Sequence, residues 1–280
     1  MRIRPLRLAS IWPLSLLVIL LLLGTTSPSA AVGVYPSSMA STGDSITRAF
    51  NTGSNGFIDA PSNSWSTGSN ATVNSLYLRI LANNPAINGN NYNAAVSGAK
   101  IADLSDQVAA VNLLQVEYVT ILMGANDVCT SSEASMTPVD TFRAEFEEAM
   151  RSLNTWSPGA RIYVVSIPNI YNLWAVLKGN WAARTTWSTL GICQSMLANP
   201  LSTTQADVSR RERVRQRNID FNTQLAQVCA QYPQCRFDGN AVFNTTFVAS
   251  DVSTRDYFHP SVAGQAKLAS VTWQASGFAP

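Results

Sequence analysis

The stretch VEYVTILMG, residues 116–124, is an almost unbroken run of apolar and β-branched residues. The stretch ARIYVVSIP, residues 160–168, has the same character. Both are short and rich in the Val, Ile and Tyr that favour strands. Strands that are covered by helices on both faces show this pattern, because neither face meets water. The two stretches therefore predict central strands of a buried parallel sheet.

The segment between these stretches, TPVDTFRAEFEEAMRSLNTW, has the period of an amphipathic helix. Its large apolar residues fall on one face, namely Phe142, Phe146, Met150 and Leu153. We expect Thr137 to cap this helix and Pro138 to stand in its first turn, where a proline loses no hydrogen bond. The segment therefore predicts a helix that connects two parallel strands.

Two further helices are predicted in the C-terminal half of the chain. The first covers residues 208–231 and has one apolar stripe, formed by Val214, Phe221, Leu225 and Val228. The second is SVAGQAKLASVTW, residues 261–273. Strands that alternate with helices indicate an α/β protein, here a three-layer α/β/α sandwich with a mainly parallel sheet. Right-handed crossovers then bring the loops after the strands to one edge of the sheet, where such sheets bind ligands.

Residues 1–31 have the layout of a secretory signal peptide. Three arginines precede an apolar run from Ile11 to Leu23, and small residues follow as far as Ala31. A run of this length is too short for a mature membrane anchor. We therefore expect cleavage after Ala31, a secreted protein and no stable membrane insertion; an uncleaved anchor is the alternative. Residues 32–280 then form one domain, because no change of composition divides them.

The charge of the chain changes sign once this leader is set aside. The leader holds three of the 19 Lys and Arg residues, which leaves 16 against 17 Asp and Glu. Neither a nucleic-acid footprint nor a polybasic membrane patch is present in such a sequence. We therefore expect a monomer that binds a small-molecule or lipid substrate and no nucleic acid.

Four cysteines remain in a chain that we expect to be exported: Cys129, Cys193, Cys229 and Cys235. Two disulfides are then predicted, and four cysteines allow three pairings. The residues between Cys229 and Cys235 can turn back locally, so we pair these two, which leaves Cys129 with Cys193. The single histidine and the lack of Cys-x-x-Cys and His-Glu-x-x-His motifs argue against zinc. We expect no metal and no cofactor.

Polar residues follow the predicted strands and are expected to meet at one edge of the sheet. Ser45 in STGDSITRAF, Gly98 in AAVSGAK and Asn126 in LMGAND come after the first three strands. His259, the only histidine, precedes the last helix, and Asp256 lies three residues before it. A serine hydroxyl needs a base to take its proton, and the base needs a third group that orients it and stabilises its cation. We therefore predict a catalytic triad of Ser45, His259 and Asp256.

The same edge offers donors for an oxyanion hole. Negative charge that develops on an attacked carbonyl oxygen needs hydrogen-bond donors already aimed at it. The backbone N–H groups of Ser45 and Gly98 and the side-chain amide of Asn126 could supply three. Gly98 suits this role because a residue without Cβ lets its amide approach a substrate closely. Each position alone could also have a purely structural role, such as an ordinary turn at Gly-Asp-Ser. The site is predicted because these positions converge on one edge of the sheet.

Taken together, these blocks resemble the SGNH or GDSL hydrolases of the esterase and lipase class. The matching residues are Gly43 to Thr47, with Ile46 in place of the more usual leucine, then Gly98, then Gly124 to Asp127, and Asp256 to His259. The blocks stand in family order across residues 40–275. The resemblance implies a flavodoxin-like three-layer fold, a serine nucleophile that needs no metal, and the oxyanion roles given above.

Two long segments are expected to form the substrate site, because long irregular loops in compact domains often act as lids or binding walls. Residues 51–70 carry Phe57 and Trp65, and residues 169–197 carry Tyr171 and Trp174. Aromatic residues without clustered charge favour an ester with a hydrophobic acyl chain. The same aromatics could instead pack a satellite core or stack on a sugar.

We therefore expect a serine hydrolase that cleaves carboxylic esters, of lipids or of simple acyl groups, through an acyl-Ser45 intermediate. A carbohydrate acetylesterase is the alternative within this class. A noncatalytic carbohydrate- or lipid-binding module on the same scaffold is the alternative of a different class, and the complete triad argues against it.

Overall fold

A computed structural model describes Met1 and residues 35–278 of the chain. The predicted signal peptide, residues 1–31, lies outside these described residues except for Met1. Residues 35–278 contain an α/β domain. No helix within them is both long and apolar enough to cross a membrane.

Residues 35–278 form one five-stranded sheet in which every neighbouring pair is parallel. The strands are β1 (Met39–Gly43), β2 (Asn91–Asn93), β3 (Tyr118–Leu122), β4 (Arg161–Val164) and β5 (Cys235–Phe237). Their order across the sheet is β2-β1-β3-β4-β5. The parallel sheet and the two central strands predicted from the sequence, β3 and β4, are confirmed.

The α-helices of residues 35–278 surround this sheet. They are α1 (Leu76–Leu81), α2 (Leu104–Leu114), α3 (Ala125–Val128), α4 (Val139–Trp156), α5 (Ile170–Leu177), α6 (Trp181–Thr189), α7 (Gln194–Leu197), α8 (Gln205–Cys229), α9 (Ala241–Asn244) and α10 (Val262–Ala275). α4 packs between α2 and α8, whereas α1 packs on α10. These two groups of helices flank the sheet, so the three-layer α/β/α architecture is confirmed.

The helices at 139–156 and 205–229 bury the faces that the sequence predicts. The apolar residues that define these faces are fully buried, namely Phe142, Phe146, Met150, Leu153, Val214, Phe221, Leu225 and Val228. Phe142 of α4 stacks on Phe221 of α8 with ring centroids 4.0 Å apart. Burial of a large apolar side chain stabilises a protein by about 1.5–3 kcal/mol, so the contact of Phe142 with Phe221 stabilises the packing of α4 on α8.

The prediction that Thr137 caps α4 is wrong. The helix begins at Val139 with Pro138 as its cap residue, and no side chain caps its first turn. The Thr137 hydroxyl instead donates a hydrogen bond to Asp127 Oδ1 at 2.6 Å. A buried carboxylate requires donors, and Thr137 supplies one to Asp127 rather than capping its own helix.

The segment 169–197, expected to be irregular, is mostly helical. It contains α5, α6 and α7. Asn169 caps α5 by accepting a hydrogen bond from the Asn172 N–H, and Asn180 caps α6 by accepting one from the Ala183 N–H. Asparagine is among the preferred N-cap residues. These two caps explain why an aromatic-rich segment folds into two short helices.

The structure joins Cys129 to Cys193 and Cys229 to Cys235. This is the pairing that the sequence predicts. The first bond links the end of α3 to the residue before α7, and the second links the end of α8 to the first residue of β5.

Candidate active site

The nucleophile candidate, Ser45, lies two residues beyond the end of β1. In the register of the sheet, Gly43 at the end of β1 stands opposite Leu122 at the end of β3. A Cβ on Gly43 would lie 2.5 Å from the Leu122 carbonyl oxygen, and Gly43 also has a φ of +147°. Only glycine fits such a close approach without strain. The sheet therefore delivers Ser45 to its edge, beside the loop that follows β3.

Ser45 contacts the single histidine directly. His259 Nε2 lies 2.8 Å from Ser45 Oγ, although 214 residues separate the two in sequence. On the other side of the ring, His259 Nδ1 lies 2.6 Å from Asp256 Oδ2. A proton on Nδ1 that is donated to Asp256 leaves Nε2 free to accept the serine proton. The three residues predicted as a triad are therefore brought together in hydrogen-bonding geometry.

The turn that carries Asp256 and His259 is held by its own hydrogen bonds. Asp256 Oδ1 accepts from the backbone N–H groups of Phe258 and His259 at 3.0 and 3.1 Å. The Ser253 N–H donates to the His259 carbonyl at 2.8 Å. Tyr257 takes a positive φ of 55°, which lets the chain reverse between the two triad members. A separation of three residues therefore suffices to place the carboxylate against the imidazole.

The pKa of Asp256 lies below its ordinary value. Burial alone would raise the pKa of this carboxyl, but the hydrogen bond and charge of His259 and the two N–H groups of the turn outweigh burial. Asp256 is therefore ionised at neutral pH. An ionised carboxylate at this position stabilises an imidazolium on His259.

Two aromatic rings flank the imidazole. The Phe50 ring centroid lies 4.9 Å from that of His259, and the Phe258 ring stands edge-on to His259 at 5.1 Å. Both rings also line the cleft at Ser45. They restrict the imidazole to the orientation that faces Ser45 and keep part of its surroundings apolar.

The predicted oxyanion donors lie around the same cleft. Its lining includes Ser45, Ser97, Gly98, Asn126 and His259. Gly98 has a φ of +86°, a conformation that side chains disfavour. Within residues 35–278, the N–H groups of Ser45 and Gly98 have no hydrogen-bond acceptor. Two backbone donors are therefore available to a group in the cleft.

Asn126 is oriented by the loop that carries Gly98. Its Nδ2 donates to the Ala99 carbonyl at 2.9 Å, and an amide NH₂ has a second hydrogen to donate. The next residue, Asp127, accepts from the Ile101 N–H at 2.9 Å and from Thr137. Burial raises the pKa of Asp127, against these hydrogen bonds. Asp127 thus ties the loops of two oxyanion candidates together, a role that the sequence analysis did not assign.

Asp44, directly before the nucleophile, is fully buried. Its Oδ1 accepts from the Ile46 N–H at 2.8 Å and so closes the turn around Ser45. Its Oδ2 has no hydrogen-bond partner among the residues that the structure describes. Burial, opposed by the Ile46 N–H and by the charge of His259, raises the pKa of Asp44 to about 6.

The predicted substrate-binding aromatics do not line this cleft. Trp65 has no exposed surface, so its assignment to the substrate site is wrong: its indole packs in the core with Nε1 directed at Thr47. Trp174 is buried as well; its Nε1 donates to the Pro200 carbonyl, and Lys178 and Arg211 cover its ring. These two tryptophans serve the core, which is the alternative that the sequence left open.

The other two predicted aromatics lie elsewhere on the surface. Tyr171 packs against Trp174 with Arg215 over its ring. Phe57 is 59% exposed, and it is absent from the lining of the cleft at Ser45. Neither is brought to the triad in the described residues.

An apolar cavity of about 80 Å³ adjoins the cleft. It shares Phe258 and His259 with the cleft, and it is bounded by Ile46 and Ala125, the neighbours of Ser45 and Asn126. Three residues of α5 and three residues farther along the chain form its other walls: Ile170, Leu173 and Val176 of α5, then Phe247, Val252 and Leu268. No sequence pattern predicts this cavity, because its walls come from separate segments. Its only sequence signal is the apolar residue next to each of two motif positions.

Comparison with known proteins identifies relatives of this chain. The model of the family described as GDSL-like Lipase/Acylhydrolase matches residues 41–271, a range that includes the five residues predicted for the triad and the oxyanion hole. No curated protein matches the sequence.

Two solved structures resemble the fold. A protein of Parabacteroides merdae described as a GDSL-like lipase has a TM-score of 0.54 and 15% identity, over 88% of this chain and 99% of the other. An extracellular lipase of Streptomyces rimosus has a TM-score of 0.51 and 16% identity, over 85% of this chain and 99% of the other. Because the family model covers most of the chain and both structures share its fold, the protein belongs to the family of GDSL-like lipases and acylhydrolases, which are hydrolases of the lipase and esterase class.

Proposed function

We propose that this protein is a secreted serine hydrolase that cleaves carboxylic esters through an acyl-Ser45 intermediate. The observation that carries this proposal is the contact of His259 Nε2 with Ser45 Oγ at 2.8 Å, backed by Asp256 at 2.6 Å from Nδ1. These are the distances at which a base can take a serine proton.

In the first half-reaction, Ser45 Oγ attacks the acyl carbon while its proton passes to His259 Nε2. The carbonyl oxygen becomes an oxyanion, which accepts hydrogen bonds from the Ser45 and Gly98 N–H groups and from the Asn126 amide. When the tetrahedral intermediate collapses, the bond to the alcohol oxygen breaks and His259 returns the proton to that oxygen. The products of this step are the acyl-serine and the free alcohol.

In the second half-reaction, water takes the place of the alcohol. His259 accepts a proton from water as its oxygen attacks the acyl carbon, and the proton then passes to Ser45 Oγ as the acyl-serine bond breaks. The balance is one ester and one water to one acid and one alcohol. Asp256 stays ionised throughout and stabilises the transient imidazolium.

The apolar cavity supports a hydrophobic acyl group. It begins beside Ile46, Ala125 and His259, so a chain attached to the acyl carbon at Ser45 can extend into it. Each methylene buried there contributes about 0.8 kcal/mol. Tryptophan faces often stack on sugars, but Trp65 and Trp187, which stand in the two aromatic-rich segments, are fully buried. We therefore favour an aliphatic ester over an acetylated carbohydrate.

Secretion is supported by the signal-peptide pattern of residues 1–31 and by two disulfide bonds, which persist in oxidising compartments. Expression of the full chain in a host with a secretion pathway, followed by N-terminal sequencing of the protein in the medium, tests this part. We expect a mature N-terminus at Val32. Retention of the whole chain in the cell pellet would contradict it.

The experiment that tests the activity is hydrolysis of p-nitrophenyl esters from acetate to palmitate, with acetylated xylan measured in parallel. We expect turnover of the aliphatic esters, none in Ser45→Ala, and little release of acetate from xylan. Activity confined to xylan would replace the proposal with the acetylesterase. Equal turnover by a folded Ser45→Ala protein would refute the mechanism.

A further inference from the structure

Asn51 lies behind the triad and contacts its carboxylate. Its Nδ2 donates to Asp256 Oδ2 at 2.5 Å. The same oxygen faces His259 Nδ1 at 2.6 Å, so amide and imidazole converge on one carboxylate oxygen. Asn51 is only 3% exposed. It follows Ser45 by six residues and therefore links the nucleophile's own loop to the carboxylate that orients the base.

The backbone of Asn51 explains why asparagine stands at this position. Its φ is +66°, a left-handed conformation that asparagine and glycine adopt more readily than other residues. Its N–H donates to the Ile58 carbonyl at 3.0 Å, and its carbonyl accepts from the Ser253 hydroxyl at 3.3 Å. The backbone is thus fixed to both its own loop and the turn of Asp256.

The orientation of the Asn51 amide is determined by its two partners. Oδ1 accepts from the Phe57 N–H at 2.5 Å, which only an oxygen can do. Nδ2 must then face Asp256, where a carboxylate can only accept. Because both Oδ1 and Nδ2 are hydrogen-bonded, the side chain of Asn51 is held in one rotamer, with its N–H donor facing Asp256.

Asp256 depends on this donor to complete its hydrogen bonding. Oδ1 accepts from the Phe258 and His259 N–H groups, so the Asn51 amide and the His259 ring are the partners of Oδ2. A buried carboxylate that loses a donor is under-solvated, and it can rotate so that Oδ2 leaves the plane of the imidazole. We propose that Asn51 is a positioning residue that holds Asp256 Oδ2 against His259 Nδ1 and so maintains the base in its reactive orientation.

This inference rests on the proposed ester hydrolysis, and the test separates the two. Asn51→Gly removes the amide while it keeps the positive φ. Asn240→Gly is the matched control, because Asn240 has the same φ of +66° and stands before α9, away from the triad. Steady-state kinetics on p-nitrophenyl butyrate, melting temperatures and the downfield ¹H NMR resonance of the imidazole Nδ1 proton are measured for both.

For Asn51→Gly we expect kcat to fall by roughly 10- to 100-fold, the loss typical when a hydrogen-bond partner that orients a metal-ligating side chain is removed, because Asn51 orients Asp256 in the same way. KM should stay within twofold, and the Nδ1–H resonance should move upfield or broaden. Asn240→Gly should keep the kcat and the resonance of the wild type. A merely structural role would lower the melting temperature in both variants and leave the resonance of the folded protein in place.

A second variant keeps the test decisive if Asn51→Gly does not fold. Asn51→Asp retains the size of the side chain and the acceptor for the Phe57 N–H, but as a carboxylate it cannot donate to Asp256. We expect at least the same loss of kcat at pH 8. Wild-type kcat and an unmoved Nδ1–H resonance in either folded variant would overturn the inference. If Ser45→Ala also retained turnover, the proposed function itself would fail, and if Ser45→Ala were inactive, only the role of Asn51 would be refuted.

Discussion

Cys193 is bonded to Cys129, which lies three residues beyond the oxyanion candidate Asn126. The same two segments are joined by Ser195, whose hydroxyl donates to the Val128 carbonyl at 2.8 Å and whose N–H donates to the Thr130 carbonyl at 2.9 Å. The disulfide and these hydrogen bonds together fix the turn that follows Asn126. One covalent bond thus couples the stability of the fold to the geometry of the site.

This coupling predicts different outcomes at the two disulfides. In the chain-entropy model, a bridge across 64 residues stabilises the fold by roughly 4 kcal/mol and one across 6 residues by roughly 2 kcal/mol. We expect the pair Cys129→Ser and Cys193→Ser to lower both the melting temperature and kcat. The pair Cys229→Ser and Cys235→Ser should lower the melting temperature modestly and spare kcat. If kcat of the first pair matches the wild type at a temperature where both are folded, the Ser195 hydrogen bonds alone position Asn126.

His259 and Asp256 should differ in how much activity their loss removes. His259→Ala removes the proposed base, and we expect kcat to fall by roughly a millionfold. Asp256→Asn keeps the shape of the side chain but places an amide where the Nδ1 proton must be accepted, so the imidazole takes the wrong tautomer. A loss of roughly 10⁴ is then expected. Both are measured at pH 8 with the melting temperature as control, and a larger loss in Asp256→Asn than in His259→Ala would contradict these roles.

Asn126→Ala should slow the reaction without weakening substrate binding. Removal of one oxyanion donor typically costs roughly 10²–10³ in kcat, and the ground-state ester gains little from that donor, so KM should change little. Asn126 also donates to the Ala99 carbonyl, so the Gly98 loop could shift in the variant. Asn126→Asp is the paired variant, because its carboxylate repels the oxyanion. We expect it to be slower than Asn126→Ala, and the reverse order would argue that Asn126 acts only on the loop.

The apolar cavity predicts a change of acyl-chain preference on mutation. Leu173 of α5 lines the cavity, and Leu173→Phe should shorten it. Because each methylene contributes about 0.8 kcal/mol, or about fourfold in kcat/KM, octanoate should lose several-fold more than acetate. Leu201→Phe is the control, since Leu201 is 59% exposed and is not part of the cavity lining. Equal effects on all chain lengths would place the acyl chain elsewhere.

Much of the fold follows from local patterns in the sequence. β3, β4, α4 and α8 show the periodicity of buried strands and amphipathic helices over many residues. The meeting of Ser45, Gly98 and Asn126 at one cleft follows as well, because residues after neighbouring parallel strands share one edge of the sheet. β5 escaped prediction, since three residues, Cys235–Phe237, carry too little pattern.

The remaining differences depend on contacts between distant segments. Trp65 looks like a loop aromatic in the sequence, but its backbone N–H donates to the Gln265 side chain, 200 residues away. Thr137 looks like a cap, but the buried carboxylate of Asp127 takes its hydroxyl. Asn51 has no motif of its own, and its role becomes visible only when the loop after Ser45 folds against Asp256. Tertiary packing determines these hydrogen-bond partners, and the local periodicity of the sequence does not predict them.

Asp44 gives the domain a pH-dependent term in its stability. Burial raises the pKa of Asp44 from its ordinary value of 3.8 to about 6, so between these two pH values the folded state holds a proton that the unfolded state has released. The contribution of Asp44 to stability is therefore fully present below pH 3.8 and is lost as the pH rises through about 6. At neutral pH, where Asp44 is ionised, the fold is therefore less stable than it would be with Asp44 protonated.

Asp44→Asn isolates this term, because the amide oxygen can still accept from the Ile46 N–H while the titration disappears. From urea unfolding at pH 4 and pH 8, we expect the free energy of unfolding of the wild type, relative to Asp44→Asn, to fall by about 2 kcal/mol between the two values. Asp106→Asn, on the exposed side of α2, controls for the loss of one negative charge. The comparison is a difference between two pH values, so any constant cost of burying the amide cancels. Parallel pH dependence of the wild type and Asp44→Asn would show that Asp44 stays ionised across this range, and that its unpartnered oxygen is stabilised by other means.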